Sequence, residues 1–182
     1  MKNNLRLFVA APLPHGLVQQ LETYLEPYTL PGVRLVPEEN WHLTYFFIGN
    51  VPAARLSEIS GILASLSADS ENFTLKLLRV APGPDKKAPR LVWAQFAENK
   101  TFEKICRAIT IGLGEKIRNQ HPIPHITLAR LSKDHPPKNL PVSPATQSTV
   151  FEVSEMALWQ SELGQPHPRY TVLEHFPFGA NL

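Results

Sequence analysis

Apolar residues recur along this chain in two rhythms, one of period two and one near 3.6. Arg6 to Ala11 is a β-rich apolar run stopped by Pro12, which predicts a first strand. Leu17, Val18, Leu21 and Leu25 then fall at helical spacing and predict a helix over 15–27 that ends at Pro27. Val33 to Val36 is a short strand. The stretch NWHLTYFFIGNV predicts a strong strand from Trp41 to Ile48, closed by Gly49-Asn50. A second helix, 53–67, presents Leu56, Ile59, Ile62, Leu63 and Leu66 on one face. Phe73 to Val80 alternates as a strand, APGPDKKAPR is a basic loop, and Leu91 to Phe96 is a further strand. The third helix, 101–117, carries Phe102, Ile105, Ile109 and Leu113. HPIPH breaks the pattern before a strand from His125 to Leu131. A proline-rich loop spans 132–146, and two long strands follow, 150–160 and 170–176, divided by SELGQPHP.

This order is not a regular strand–helix alternation. It predicts an α+β fold with antiparallel sheets and helices on the outer faces. No period of 20–50 residues marks a solenoid. One echo stands out: His-Leu-Thr at 42–44 and His-Ile-Thr at 125–127, each inside an apolar strand pattern. It predicts two related lobes, pseudo-two-fold, facing a central cleft within a single domain over 1–182. A chain of 182 residues suits that organisation and buries roughly 70% of its unfolded surface without staples.

Charge narrows the function. With a net charge of +2, the chain lacks the concentrated basic stripe of a duplex binder, yet allows a small anion in a locally basic cleft. A single cysteine, Cys106, excludes an internal disulfide and suits a reducing compartment. It lies within the helical pattern FEKICRAI and is expected as a buried thiol, not a nucleophile. The first apolar run is broken by Pro12 and Pro14 and is too short for a signal segment or a spanning helix. The expected location is the cytoplasm, with no membrane contact. Nothing speaks for a dimer, so a monomer is expected. The 18 prolines, about twice the usual share of ~5%, cluster in loops and punctuate the chain.

In a strand, residues i and i+2 share a face. Each His-x-Thr therefore sets an imidazole beside a hydroxyl, with Leu43 or Ile126 pointing into apolar packing. Opening a phosphodiester requires that an incoming water lose a proton and a leaving sugar oxygen gain one. Two imidazoles can do both, one neutral and one protonated, because histidine titrates near pH 6.5. Thr44 and Thr127 can donate hydrogen bonds to the phosphoryl oxygens as charge builds there. A metal is not required, and no HExxH, paired CxxC or carboxylate cluster offers one a site. No glycine-rich phosphate loop suggests a nucleotide cofactor. No cofactor is expected.

The sequence resembles the two-histidine phosphoesterases, and within them the bacterial and archaeal RNA 2′,3′-cyclic phosphodiesterases, also called 2′-5′ RNA ligases. RLFVAAPLP is similar to the opening strand of that family. VPEENWHLTYFFIGNV resembles its first motif, with Tyr45 and Ile48 where leucine is more usual. APRLVWAQF resembles its central strand, PHITLAR its second motif including Arg130, and FEVSEMALWQSEL and RYTVL its closing strands, with Ser161 and Tyr170 in familiar places. The resemblance implies a bilobal fold with the histidines across a cleft and hydrolysis of an RNA 2′,3′-cyclic phosphate to a 2′-phosphate. It implies His42 as proton donor to the leaving 3′ oxygen and His125 as proton acceptor from water, although the sequence leaves open the exchange of these roles. It also implies that the same two histidines could join a 5′-hydroxyl to the cyclic phosphate. The expected partners are RNA 3′ ends or small cyclic-phosphate nucleotides.

Arg130 is a candidate for substrate contact, but a regular strand turns position 130 away from 125 and 127. It reaches the site only if the strand ends or bulges. Phe8, Trp41, Tyr45, Phe46 and Trp93 are candidates for base stacking, against the alternative that they fill the core. Lys86, Lys87 and Arg90 are placed to steer RNA or simply to be solvated. His15, His121, His135, His167 and His175 read as surface or loop residues. Two other functions fit the same residues: a phosphodiesterase for 2′-5′ oligonucleotides or small cyclic nucleotides, and a non-catalytic module that binds RNA ends.

Overall fold

The structure, a computed structural model, describes residues 4–179 apart from Lys86, Pro136 and 146–148. Lys86 therefore lies outside the described residues. The strands are β1 (Asn4–Ala11), β2 (Val33–Leu35), β3 (Leu43–Pro52), β4 (Phe73–Gly83), β5 (Leu91–Phe96), β6 (His125–Leu131), β7 (Ser143–Pro144), β8 (Val150–Val153), β9 (Glu155–Glu162) and β10 (Arg169–Pro177). Three helices, α1 (His15–Glu22), α2 (Leu56–Ala68) and α3 (Lys100–Gly112), interrupt them.

All strand pairs are antiparallel, in the order β10-β9-β1-β3-β6-β5-β4-β7, with β2 added to β6 and β8 to β4. The two expected sheets are the halves of this path. They join at one residue pair, Leu43 with Ile126. These are the middle residues of the two His-x-Thr motifs. Each motif opens the second strand of a strand–helix–strand unit, β1-α1-β3 in one half and β5-α3-β6 in the other.

The main core lies on the helix side of the strands. Leu17 and Leu21 of α1, Ile59 and Leu63 of α2, and Phe102, Ile105 and Ile109 of α3 pack there with Leu43, Ile126 and Leu128. Leu43 and Ile126 are both 0% exposed, so the junction is sealed by side chains as well as by backbone. Leu43→Ala opens a cavity at that junction, and a loss of about 2–5 kcal/mol is expected in denaturant unfolding. An unchanged unfolding midpoint would show that the junction does not hold the halves together.

Several boundaries differ from the periodicity, each for a local reason. α1 stops at Glu22, not at Pro27, and a 3-10 turn over Glu26–Tyr28 follows. The buried Tyr28 hydroxyl is bonded to the carbonyls of Val80 (3.0 Å) and Pro141 (2.8 Å), which draws that turn off the helix axis. α3 ends at Gly112 because Gly114 adopts a left-handed φ of 76° and closes the helix, with Glu115 N–H donating back to Thr110. The single strand expected over 150–160 divides at Ser154, where it leaves β4 as β8 and joins β1 as β9. β3 runs through Gly49 to Pro52; Gly49 takes a φ of 85° beside a bulge at Ile48 instead of ending the strand. Among the described residues no helix is long and apolar enough to cross a membrane.

Candidate active site

The junction pair organises the site. An antiparallel register centred on Leu43 and Ile126 sets His42 across from Thr127 and Thr44 across from His125. All four side chains then share the face opposite the core. The two motifs thus meet as one four-residue cluster astride the contact between the halves.

Both imidazoles are held in the same way. His42 Nδ1 donates to the Asn40 carbonyl at 2.7 Å, and His125 Nδ1 donates to the Ile123 carbonyl at 2.7 Å. A carbonyl only accepts, so each neutral ring carries its proton on Nδ1 and leaves Nε2 with a lone pair. Among the described residues neither Nε2 has a hydrogen-bond partner, nor does either threonine hydroxyl. Each ring leans on an aromatic from the neighbouring strand, Phe8 for His42 and Trp93 for His125, both with centroids 4.8 Å apart. Around His42 the support is wider. Trp159, whose Nε1 donates to Ala10, lies 5.8 Å from the ring, and Tyr170 meets it edge-on at 5.4 Å.

Burial disfavours the charged form of both rings. Desolvation pushes His42 down to about 4, helped by the positive fields of His125 and Arg130 and opposed by the Asn40 carbonyl. Desolvation also lowers His125, against the Ile123 carbonyl. At neutral pH both imidazoles are therefore neutral.

A bulge settles the direction of Arg130. In the β5–β6 ladder Trp93 pairs with Thr127 and Val92 with Ala129, so Leu128 is an extra residue. Leu128 and Ala129 are both buried, and the parity of the strand flips behind them. Arg130 emerges on the face of His125 and Thr127. The same device operates in β3, where Ala10 pairs with Thr44 and Val9 with Phe46, leaving Tyr45 extra. Tyr45 is buried in the core and Phe46 packs against it, so Phe47 emerges beside Thr44. The echo is thus longer than His-x-Thr. It reads His-x-Thr-x-x-Phe in one half and His-x-Thr-x-x-Arg in the other.

Phe47 and Arg130 line a cavity of about 240 Å³ with Phe8, Ser161 and Tyr170. Phe47 is 65% exposed and rests on Phe8 at 5.7 Å. The sequence leaves Phe47 out of its stacking candidates, and for those it does offer the structure favours the alternative of packing. Trp41 is buried and bonds Val36, Tyr45 is buried and bonds Glu155, and Phe46 packs on the main core. Phe8 and Trp93 are buried supports of the two histidines. The signal for Phe47 was present, because two successive core residues after each threonine break the alternation of a regular strand.

The remaining candidates lie elsewhere. His121 is 3.5 Å from Glu103, and His175 bonds Glu155 at 2.8 Å. His15 is the exposed first residue of α1, and His135 donates its backbone N–H to Ser132. Cys106 is buried, and desolvation pushes its thiol up to about 12, which leaves no thiolate for nucleophilic attack. Among the described residues no three side chains of His, Cys, Asp or Glu come together in a cluster that could hold a metal.

Trp93 also explains a glycine. A Cβ at Gly83 would lie 2.5 Å from two atoms of the Trp93 ring and 2.8 Å from a third. The ring is stiff and backs His125. Gly83→Ala is expected to cost about 1–3 kcal/mol by overpacking and to lower turnover by displacing His125. Unchanged melting and unchanged turnover together would contradict this packing.

Two free Nε2 atoms and two free hydroxyls share one face, with an arginine at its rim, a set of groups able to bind an anionic ester and exchange protons with it. Comparison with known proteins points to a phosphoesterase family. Residues 11–93 match the family described as LigT like phosphoesterase. A Thermus thermophilus protein named RNA 2′,3′-cyclic phosphodiesterase is 30% identical over 184 residues, covering 94% of this chain and 89% of that one. A Geobacillus stearothermophilus protein of the same name is 28% identical over 181 residues, and the chain spans 56% of its length. The crystal structure of TT0787 of Thermus thermophilus superposes with a TM-score of 0.84 at 26% identity, over 96% of this chain and 98% of that one. The chain belongs to the LigT-like phosphoesterase family.

Proposed function

We propose that this phosphoesterase opens the 2′,3′-cyclic phosphate at an RNA 3′ end to a 2′-phosphate by acid–base catalysis between His42 and His125. The observation that carries the reading is the matched pair of Nδ1–carbonyl bonds, which leaves two Nε2 atoms free on one face. The relatives named above are the second support. Water attacks phosphorus and yields a proton to His125 Nε2. The P–O3′ bond breaks, and His42 Nε2 protonates the departing 3′ oxygen. The phosphate remains on the 2′ oxygen. Thr44 and Thr127 donate to the non-bridging oxygens as charge gathers there. Phe47 offers a stacking face for the terminal base, and Arg130 a guanidinium for its phosphate or base.

A 5′-hydroxyl in place of water would give its proton to His125 in the same way while His42 protonates the departing 3′ oxygen, so 2′-5′ ligation belongs to the same proposal, and cleavage of that linkage would exchange the two roles. The enzyme works as a monomer in a reducing cytoplasm, in keeping with its single buried thiol.

The electrostatics assign a pH dependence. An imidazole acid must be protonated in the free enzyme, yet burial holds His42 at about 4. His125, the base, titrates below its ordinary value for the same reason. Both limbs of the kcat/KM profile are therefore expected below pH 6.5. The bound phosphodiester adds a negative charge that favours the protonated rings, so the kcat optimum moves to higher pH. Arg130→Gln removes a positive field from His42 and moves that limb upward. A kcat/KM plateau extending to pH 8 would contradict these assignments.

A further inference from the structure

Arg130 also lines a second cavity, larger than the one beside Phe47. This space, about 790 Å³, is lined by Arg34, Arg90, Arg130 and Lys133, with Asp134 the one acidic residue on its wall. Arg130 also lines the small cavity beside Phe47, so one guanidinium belongs to both spaces.

The strand register concentrates the charge. Arg34 of β2 stands directly opposite Arg130 of β6, and Leu91 of β5 stands opposite Arg130 on the other side. Arg90 precedes Leu91, and its carbonyl accepts from Leu131 N–H. Like charges placed directly across a ladder destabilise it. Among the described residues no carboxylate lies within ion-pair distance of Arg34, Arg90, Arg130 or Lys133. Arg34 donates one hydrogen bond, to the Pro166 carbonyl at 3.2 Å, which ties it to the β9–β10 connection without neutralising it. All four cations are exposed. Four unpaired cations along one cavity, in a chain whose net charge is only +2, form a local field for a polyanion.

We propose that this cavity is a phosphodiester-tracking groove, in which Arg34, Arg90 and Lys133 hold the phosphates upstream of the terminal nucleotide of a single RNA strand. The inference rests on the proposed opening of a cyclic phosphate at the histidine pair and extends it. The groove selects polynucleotide ends over free 2′,3′-cyclic mononucleotides. Arg130 sits at the boundary, between the terminal nucleotide and the strand behind it. Its neighbours touch only what a mononucleotide lacks.

The test compares wild type with Arg34→Gln/Arg90→Gln and with Lys133→Gln. The two substrates are a 2′,3′-cyclic mononucleotide and a short single-stranded RNA bearing the same terminal nucleotide and cyclic phosphate. Wild type is expected to favour the RNA. In the double variant KM for the RNA rises about tenfold or more, corresponding to loss of charge-assisted hydrogen bonds. Lys133→Gln raises it less. The slope of log(kcat/KM) against log salt becomes shallower by ~0.7 for each phosphate no longer neutralised by a cation. kcat/KM for the mononucleotide stays the same, which also reports an intact fold. Equal turnover of both substrates by wild type, or equal losses on both in the variants, would overturn the groove and leave the histidine chemistry standing. Failure of wild type to open either substrate would overturn the proposed reaction itself.

Discussion

His42→Ala and His125→Ala each lower kcat by about 10²–10⁴-fold, the range that one positioned acid or base supplies. The fold survives, because both rings lie on the cleft face, outside the main core. Melting temperature and circular dichroism of each variant are expected to match wild type within a few degrees. The losses are not additive, since either histidine alone leaves the displacement without one of its two proton transfers. The double variant falls little below the worse single variant. KM is expected to change little, because the nucleotide contacts proposed for Phe47 and Arg130 are retained. A variant retaining a tenth of wild-type kcat would show that its histidine carries no proton in the rate-limiting step.

Thr44→Val and Thr127→Val are the second test of large expected effect. Valine keeps the β-branch and nearly the volume of threonine, so the strands and the junction between them are retained. What disappears is a hydroxyl without a protein partner among the described residues. If the hydroxyls donate to the phosphoryl oxygens, each substitution lowers kcat by about 10²–10³-fold, or ~3–4 kcal/mol of transition-state stabilisation. Thr→Ser restores most of it. Equal losses in the serine and valine variants would mean that shape, not the hydrogen bond, sets the rate. The register predicts a pairing as well. Thr127 lies across from His42 and Thr44 across from His125. The pH limb of His42 should therefore move more in Thr127→Val than in Thr44→Val.

Much of the fold and site is legible in the sequence. Alternating apolar positions place the strands carrying the motifs, and the paired His-x-Thr motifs mark the four polar side chains that the junction brings together in the candidate site. What stays hidden depends on cross-strand partners. The bulges at Tyr45 and Leu128 arise where β1 and β5 skip a residue; the apolar pairs Tyr45-Phe46 and Leu128-Ala129 interrupt the alternation, but the skipped pairing that fixes each bulge lies on another strand. They decide the face of Phe47 and Arg130. The end of α1 is hidden for the same reason, because the Tyr28 hydroxyl bonds strands far away in sequence. The end of α3 is hidden by a left-handed glycine in an otherwise helical pattern. The junction itself is also invisible. Leu43 and Ile126 read as ordinary buried strand residues, yet they form the pair that brings the two motifs together.

In the proposed mechanism two histidines share one displacement. The direct measurement is to incubate a short RNA ending in a 2′,3′-cyclic phosphate, in the presence of chelator, with wild type, His42→Ala and His125→Ala. The 2′- and 3′-phosphate products are then resolved. Opening to the 2′-phosphate by wild type, with both variants nearly inactive, is the predicted result. A 3′-phosphate product, or turnover that survives the loss of either histidine, would contradict it.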